Sequence, residues 1–247
     1  MVCGRTCEFE EVIFTPYNSW IDPGSVYVPQ DVSGSFHVQG TSSVLGNAFV
    51  SYSDIVGNVI IGGPDCNNPI GHTYVRTSQV MGNARIYGDT RVEYSTVQDN
   101  AQIYGGRIRD KSQIRGNASI GEDAYIKGSL VFGHAAIYGS AQVAHSSISG
   151  NAQIYGDARV LYAEVTGDAR IYENAELTSN AKVSDNAQIY GDARVFGATV
   201  AGNAQIYGSG MASTGATVTG DAKVCDDAFV SGMTLSTCEK RYCSDCP

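Results

Sequence analysis

Seven cysteines and four histidines are the side chains here that could cross-link, bind a metal or move a proton. The cysteines lie at the ends of the chain, in one Pro/Asn-rich loop and, for Cys225, just after an apolar residue. This placement favours disulfide cross-links, between the termini or between subunits. The cysteines predicted to form them are Cys3, Cys7, Cys66, Cys238, Cys243 and Cys246. An odd count leaves at least one cysteine for an intermolecular bond or a free thiol.

The tail also offers a second chemistry. Cys238-x4-Cys243-x2-Cys246 has near-ligand spacing for zinc, although a fourth ligand would have to come from elsewhere in the chain. Free thiols are a further alternative. Disulfides are the favoured interpretation, and no metal site or cofactor is assigned.

A histidine in a cleft can act as a general base, and His37, His72, His134 and His145 are the available side chains. His134 takes the place of a turn Asn or Asp in Gly133-His134-Ala135, and His145 stands near an equivalent turn, so both are interpreted as corner residues. His72 adjoins the loop of Cys66. His72 and His134 are the candidates for catalysis, but neither has an obvious partner, so no catalytic residue is assigned. No P-loop, dinucleotide fingerprint or nucleophile elbow occurs, and we favour a non-enzymatic protein.

A sequence repeat determines the secondary-structure elements that position these cysteines and histidines. The dipeptide Ile-Tyr recurs from Ile86 to Ile206 in steps of 17 and once 18 residues, with Ile120-Gly121 filling one gap. Two further aliphatic residues divide the period, typically in steps of six, five and six, as from Ile137 to Ile154. A fixed period of this length is typical of a solenoid, whose coils cannot bury their apolar faces alone.

The repeated phrase has a physical meaning, best seen in Gly150-Asn151-Ala152-Gln153-Ile154-Tyr155. On a strand, Ala152 and Ile154 point to one side while Gln153 and Tyr155 point to the other. Gly-Asn or Gly-Asp then turns a corner, because positive φ is accessible to Gly and tolerated by Asn and Asp. Three short strands and three corners per period predict a triangular prism.

These Gly-Asn/Asp-Ala-x-Ile/Val phrases resemble the hexapeptide-repeat family, over roughly Val38 to Leu235. The resemblance implies a left-handed parallel β-helix and a trimer with parallel axes. We therefore predict an all-β chain, a single-stranded triangular parallel β-helix with about 17 residues per coil. About nine coils follow Ile86, a rod of roughly 40 Å. The family also includes acyltransferases with a cleft histidine, and γ-class carbonic anhydrases, whose three converging histidines His134 and His145 do not provide.

Three segments are predicted. Residues 1–37 form an irregular arm with the only tryptophan, Trp20, and either cap the prism or dock on a neighbour. Residues 38–235 form the β-helix, with a loop insertion at 62–69. Residues 236–247 form a Cys-rich tail.

Composition narrows the choice of partners. The formal net charge of −9 argues against nucleic acid, since phosphate binding needs clustered Lys and Arg. No apolar run is long enough to cross a bilayer, so no membrane partner is expected. The first residues lack a secretory signal, so we expect synthesis in the cytoplasm and, for a particle component, a virion or extracellular location after lysis.

The outward tyrosines of the repeat form a stripe, predicted to lie on one face one coil apart. Stacked aromatics could serve only the sheet, but a long aromatic patch is also typical of an interaction surface. We favour subunit packing or ligand contact. The stripe consists of Tyr87, Tyr104, Tyr138, Tyr155, Tyr172, Tyr190 and Tyr207.

Together these features favour a structural or assembly protein: a β-helical rod cross-linked to its neighbours by terminal cysteines, such as a bacteriophage collar, tail or fibre component. Its expected partners are copies of itself, as a homo-oligomer and most simply a trimer, and neighbouring structural proteins reached through the terminal arms. The first alternative is an acyl-CoA-dependent hexapeptide-repeat acyltransferase. A further alternative is a glycan-binding adhesin that uses the tyrosine stripe.

Overall fold

The structure, a computed structural model, describes residues 20–21, 26–27, 35, 37–44, 48–62 and 72–246. Every regular element in these residues is a β-strand of two to four residues, and every pair of neighbouring strands is parallel. The strands form three sheets that the chain visits in turn, so one passage through all three is one coil. The prediction of an all-β parallel helix is confirmed.

The three sheets, called A, B and C in the order that each coil enters them, contain 13, 12 and 11 of the described strands. Sheet A consists of Trp20–Ile21, His37–Gly40, Asp54–Gly57, Gln79–Gly82, Thr96–Val97, Gln113–Ile114, Leu130–Val131, Ser147–Ile148, Glu164–Val165, Lys182–Val183, Thr199–Val200, Thr217–Val218 and Thr234–Leu235. Sheet B consists of Val26–Tyr27, Ser43–Val44, Ile60–Ile61, Arg85–Ile86, Gln102–Ile103, Ser119–Ile120, Ala136–Ile137, Gln153–Ile154, Arg170–Ile171, Gln188–Ile189, Gln205–Ile206 and Lys223–Val224. Sheet C consists of Phe49–Ser51, Tyr74–Arg76, Thr90–Glu93, Gly106–Arg109, Tyr125–Lys127, Gln142–Ala144, Arg159–Leu161, Glu176–Thr178, Arg194–Phe196, Met211–Ala212 and Phe229–Val230.

The register follows the sequence period. Ile137 pairs with Ile154, and Ile154 pairs with Ile171, each one coil away. The one 18-residue step within the Ile-Tyr series, from Ile171 to Ile189, keeps the same register. Its extra residue is absorbed at the corner between sheets C and A, where Ser179 and Asn180 both have positive φ. Side chains that are equivalent in the repeat therefore stand directly above one another along the rod.

The core is a column of alternating small and large apolar side chains. Ala152 and Ile154 are both fully buried, and the same pair recurs on every side of the prism. Burying one large aliphatic side chain stabilises a fold by roughly 1.5–3 kcal/mol. Because each coil contributes three such residues, coil stacking is the main source of stability.

At several corners a glycine leaves no room for a side chain. Gly150 has a φ of 72°, and a Cβ on it would lie 2.7 Å from the carbonyl oxygen of Gly167 in the next coil. Buried serines line the corner between sheets C and A. The Oγ of Ser129, for example, donates to the carbonyl of Lys127 at 2.8 Å and accepts from the Ser146 amide at 3.2 Å.

The β-helix begins earlier than predicted. Trp20–Ile21 pairs with the His37 strand, and Val26–Tyr27 pairs with the Ser43 strand. The first strands thus lie within residues 1–37, which were predicted to be irregular. The rest of that arm and nearly all of the 62–69 loop lie outside the described residues. Within the described part of the chain, no helix has the length and hydropathy needed to cross a membrane.

Candidate functional site

A continuous stack of tyrosine rings runs along the outer surface of sheet B. Tyr138, Tyr155, Tyr172, Tyr190 and Tyr207 are spaced 4.8–5.0 Å between neighbouring ring centroids, with planes within 4° of parallel. This spacing matches the distance between strands of about 4.8 Å, because the register places each ring directly above the last. We call these five residues the tyrosine stack.

The predicted stripe of seven is interrupted. Tyr87 and Tyr104 form a looser pair, 6.2 Å apart and tilted by 27°. Gly121 occupies the next position, and a Cβ there would lie 1.9 Å from the Tyr104 ring. The ring of Tyr104 therefore leans over Gly121 and fills the space that a tyrosine would occupy. Tyr87 and Tyr104 remain exposed, whereas the stack from Tyr138 onward is half-buried.

Stacking changes the acidity of the phenols. Burial, together with the neighbouring phenols of Tyr190 and Tyr155, raises the pKa of Tyr172 to about 12. Burial likewise raises the pKa of Tyr138 and of Tyr190. These hydroxyls are uncharged over the physiological range, so the stacked tyrosines offer neutral hydrogen-bond donors and acceptors.

Between its two corners, the face that carries the stack has no carboxylate, while Glu122 and Glu173 stand at the adjoining corner between sheets B and C. We define the tyrosine face as the outward side chains of sheet B from Arg85 to Lys223, between the two corners. These side chains are tyrosine, glutamine, serine, alanine and three cations, Arg85, Arg170 and Lys223. Over the same coils, sheet A carries Glu164, and sheet C carries Glu93 and Glu176. A chain with 25 acidic residues thus keeps the flat part of this face, between its corners, free of them.

Two candidate histidines lie at corners. The Nε2 of His134 is 3.0 Å from the Nδ2 of Asn117, so His134 continues a column of hydrogen-bonded asparagines, Asn83, Asn100 and Asn117. His145 has a φ of 51° and stacks on Tyr162 with centroids 5.0 Å apart. The two lie at different corners of the prism, as the sequence predicts. A third histidine, His37, contacts Asp54 at 2.8 Å on the exposed surface.

Two histidines line cavities. His145 lines one of about 480 Å³, and His72 is exposed at the edge of another of about 580 Å³ on sheet C, close to a corner. Tyr74, Arg91, Arg107 and Tyr125 also line this cavity. The His72 side chain makes no hydrogen bond or ion pair with any described residue. The histidine–carboxylate pair of a general base is therefore not assembled in this cavity.

The cysteines of the tail are paired within the chain. Cys225 is bonded to Cys243, and Cys238 is bonded to Cys246. The disulfide prediction for the tail is confirmed, but these bonds do not link one chain to another. Cys225 was left out of the predicted set. Cys3, Cys7 and Cys66 lie outside the described residues, and their cross-linking stays a prediction.

The position of Cys225 in the repeat could have identified it as a partner for a cysteine of the tail. Val224 pairs with Ile206, so Cys225 takes the position that Tyr207 holds one coil earlier. A cysteine at the end of the tyrosine column, on the last coil of sheet B, faces the tail that follows it. The zinc alternative also used the tail cysteines. Cys225, Cys243 and Asp245 do lie within 4.8 Å of one another, but both sulfurs are in the disulfide and are not thiolates.

The tail forms a cap on the last coils. Tyr242 is buried against the core, and the Cys225 amide donates to its carbonyl at 2.9 Å. The hydroxyl of Tyr207 donates to Asp245, and Ser244 donates to Asp226 at 2.9 Å. Burial, with the hydrogen bond to Asp245, raises the pKa of Tyr207. We call residues 236–246 the cap.

Comparison with known proteins agrees with this architecture. A family described as the YdcK β-solenoid repeat matches residues 152–168 and 187–203. The chain is a parallel β-helix. No curated protein gives a significant match to its sequence.

Solved structures with a similar path of the chain include two acyltransferases. One is UDP-N-acetylglucosamine acyltransferase from Arabidopsis, at 15% identity and a TM-score of 0.40, covering 89% of this chain and 71% of that one. Another is UDP-N-acetylglucosamine acyltransferase from Campylobacter jejuni, at 15% identity and a TM-score of 0.22, covering 89% of this chain and 72% of that one. We draw no functional conclusion from either similarity.

Proposed function

We propose that this chain is a non-enzymatic structural protein, a rigid β-helical rod that packs side by side with copies of itself through the tyrosine face. The observation that carries the proposal is the absence of carboxylates from that described face, in a chain of net charge −9. When identical faces meet, like charges oppose each other, and a strongly acidic surface would repel its own copy. Between its corners the tyrosine face carries three cations and no carboxylate, so it avoids repulsion between acidic groups.

The stack also lowers the entropic cost of association. Rings held by neighbours at 4.8–5.0 Å are already ordered, so docking immobilises few additional side chains. Tyrosine is enriched at protein interfaces because it combines an apolar ring with a polar hydroxyl. Three parallel chains, the arrangement implied by the hexapeptide-repeat resemblance, would each bury one face of the prism.

The setting is part of the proposal. Two disulfides, one within the cap and one between the cap and the rod, support use in an oxidising environment, where such bonds persist. In its finer form the proposal makes the rod a collar, tail or fibre component of a bacteriophage particle, in contact with neighbouring structural proteins through its terminal segments. That finer form rests on fold and compartment reasoning.

A charge placed on one face tests the assembly. Ala136 is a half-buried outward residue of the tyrosine face, between Ser119 and Gln153. Ala201 is a matched residue on sheet A, in a column with Ser184 and Thr219. Light scattering should show that Ala136→Glu dissociates the oligomer while Ala201→Glu leaves it intact. Equal masses for the two variants and the wild type would contradict packing through the tyrosine face.

A further inference from the structure

One corner of the rod lacks a residue. The column of corner residues between sheets B and C contains Asp89 in one coil and Asp123 two coils later. In the coil between them, Ile103 and Ile108 are five residues apart, one fewer than between Ile86 and Val92.

The strand register shows where the residue is missing. It pairs Thr90 with Gly106 and Arg91 with Arg107, so no residue stands between Asp89 and Asp123. The missing residue reappears at the next corner, where Asp110 and Lys111 both have positive φ.

The deletion leaves a notch in the surface. Gly105 and Gly106 are the residues that make the shortened turn, and Gly106 is buried on its floor. The cavity of about 580 Å³ lies here, within the roughly 300–1,000 Å³ typical of ligand pockets. Asp89, Asp123, Arg107, Tyr74 and Tyr125 are among its lining residues.

One wall of the notch is already ordered. The ring of Tyr74 stacks on Phe49 at 4.7 Å, and the guanidinium of Arg91 lies over its other face at 5.0 Å. Arg91 also donates to Glu93 at 2.9 Å. Both faces of Tyr74 are therefore covered. The wall offers its hydroxyl and the remaining Arg91 donors rather than an open stacking surface.

Arg107 is the group left to bind a ligand. Its guanidinium makes no hydrogen bond, ion pair or ring contact with any described residue, although it lines the cavity. Arginine offers five donors and no acceptor, and the carboxylates of Asp89 and Asp123 offer acceptors only. The tyrosine hydroxyls offer both. The notch thus displays separate donor and acceptor groups around one floor.

This set of groups discriminates between ligand classes. Two coils separate Asp89 from Asp123, roughly 10 Å, so they cannot share a cation whose oxygen ligands lie at about 2.0–2.6 Å. An anion would meet two carboxylates and a chain of net charge −9. A neutral molecule with many hydroxyls satisfies donors and acceptors together, because each hydroxyl can donate and accept.

We propose that the notch between Asp89 and Asp123 is a binding site for a short uncharged oligosaccharide, with Arg107 as the central donor. The carboxylates of Asp89 and Asp123 accept from sugar hydroxyls at the two ends, and the tyrosine hydroxyls border the site. This site lies on sheet C, on a different face from the tyrosine stack. It does not depend on the proposed packing of the rod.

Calorimetric titration with maltotriose, cellotriose and triacetylchitotriose, at millimolar concentration, tests the site. Trigalacturonate and coenzyme A are the charged comparisons. We expect at least one neutral trisaccharide to bind and the two anions not to bind. If no neutral trisaccharide binds, or if only an anion binds, the proposal is wrong, and binding of coenzyme A would instead favour the acyltransferase alternative.

Two variants and a matched control locate the binding. Inserting one aspartate between Gly105 and Gly106 rebuilds the corner seen at Gly88 and Asp89, so it should fill the notch and abolish binding. Arg107→Ala should weaken binding by about ten-fold or more. Arg159→Ala, in the same column of sheet C two coils beyond Tyr125, should have no effect. Undiminished affinity in a folded insertion variant or in Arg107→Ala would overturn the assignment. Circular dichroism checks that the insertion variant folds. If it does not fold, the affinity of Arg107→Ala decides the question alone.

Discussion

The phenol of Tyr207 donates a hydrogen bond to Oδ2 of Asp245 at 2.5 Å, and its oxygen lies 3.0 Å from Sγ of Cys243. Tyr207 is the last ring of the tyrosine stack, and Asp245 and Cys243 belong to the cap. This contact joins the repeating part of the rod to its non-repeating end. The stack and the cap should therefore lose structure together.

Tyr207→Phe should loosen the cap. The substitution keeps the ring in the stack but removes a hydrogen bond to a charged acceptor. We expect the free energy of unfolding to fall by about 1–2 kcal/mol. This loss is smaller than for a buried hydrogen bond to a charged group, because Asp245 is exposed. Urea unfolding under oxidising conditions measures it. Tyr190→Phe is the control, since the Tyr190 hydroxyl has no hydrogen-bond partner among the described residues, and an equal loss in both variants would count against the cap contact.

Removing the disulfide between the rod and the cap should have a larger effect. The Cys225–Cys243 bond closes a segment with a sequence separation of 18, so the double variant Cys225→Ala/Cys243→Ala should lose about 2–4 kcal/mol. The double variant Cys238→Ala/Cys246→Ala breaks a bond with a separation of 8 inside the tail and should lose less. Thermal unfolding compares them, and the reverse order would show that the cap is held from within the tail.

Gly121→Tyr should complete the stripe. A side chain at this position displaces the Tyr104 ring, which can swing back toward Tyr87. New stacking with Tyr104 and Tyr138 should add about 1 kcal/mol, since an aromatic pair is worth about 0.5–1.5 kcal/mol. Gly121→Leu displaces Tyr104 without stacking and should be neutral or destabilising. If the tyrosine variant melts no higher than the leucine variant, the gap does not limit stacking.

The rod should lose stability in alkali over a defined range. The pKa of Tyr172 is about 12 in the folded chain, above the value of about 10 expected when it is unfolded. The folded state therefore holds this proton more tightly, and the corresponding stability is fully present below pH 10 and is lost as pH rises to about 12. Absorbance at 295 nm should show late-titrating phenols, and urea midpoints should fall between about pH 10 and about pH 12. Ordinary titration of every tyrosine near pH 10 would contradict the effect of stacking.

The sequence predicts the repeating features well because each residue's place depends on its own coil and the next. The pairing of Ile154 with Ile171 follows from the period alone, and so does the corner position of His134. Features that depend on a departure from the repeat were harder to predict. The bond of Cys225 to Cys243 depends on where the tail folds back, which the period does not determine.

The same reasoning explains what was missed on the surface. Gly121 was recognised as a missing tyrosine, but the lean of Tyr104 into its place depends on side-chain packing. The notch follows from a corner with one residue fewer, and its sequence signal is Gly105-Gly106 without an Asn or Asp. The strands at Trp20 and Val26 were missed because prolines and aromatic residues obscure the alternation there.

The native mass of the oxidised chain, measured by light scattering with and without reductant, tests the proposed assembly most directly. The chain mass is 26.1 kDa, and packing through the tyrosine face predicts a species of three times that mass. The cap disulfides lie within one chain, so reduction should not convert this trimer to monomers by breaking them. A species of 26.1 kDa under both conditions would contradict the proposal that the rod assembles through this face.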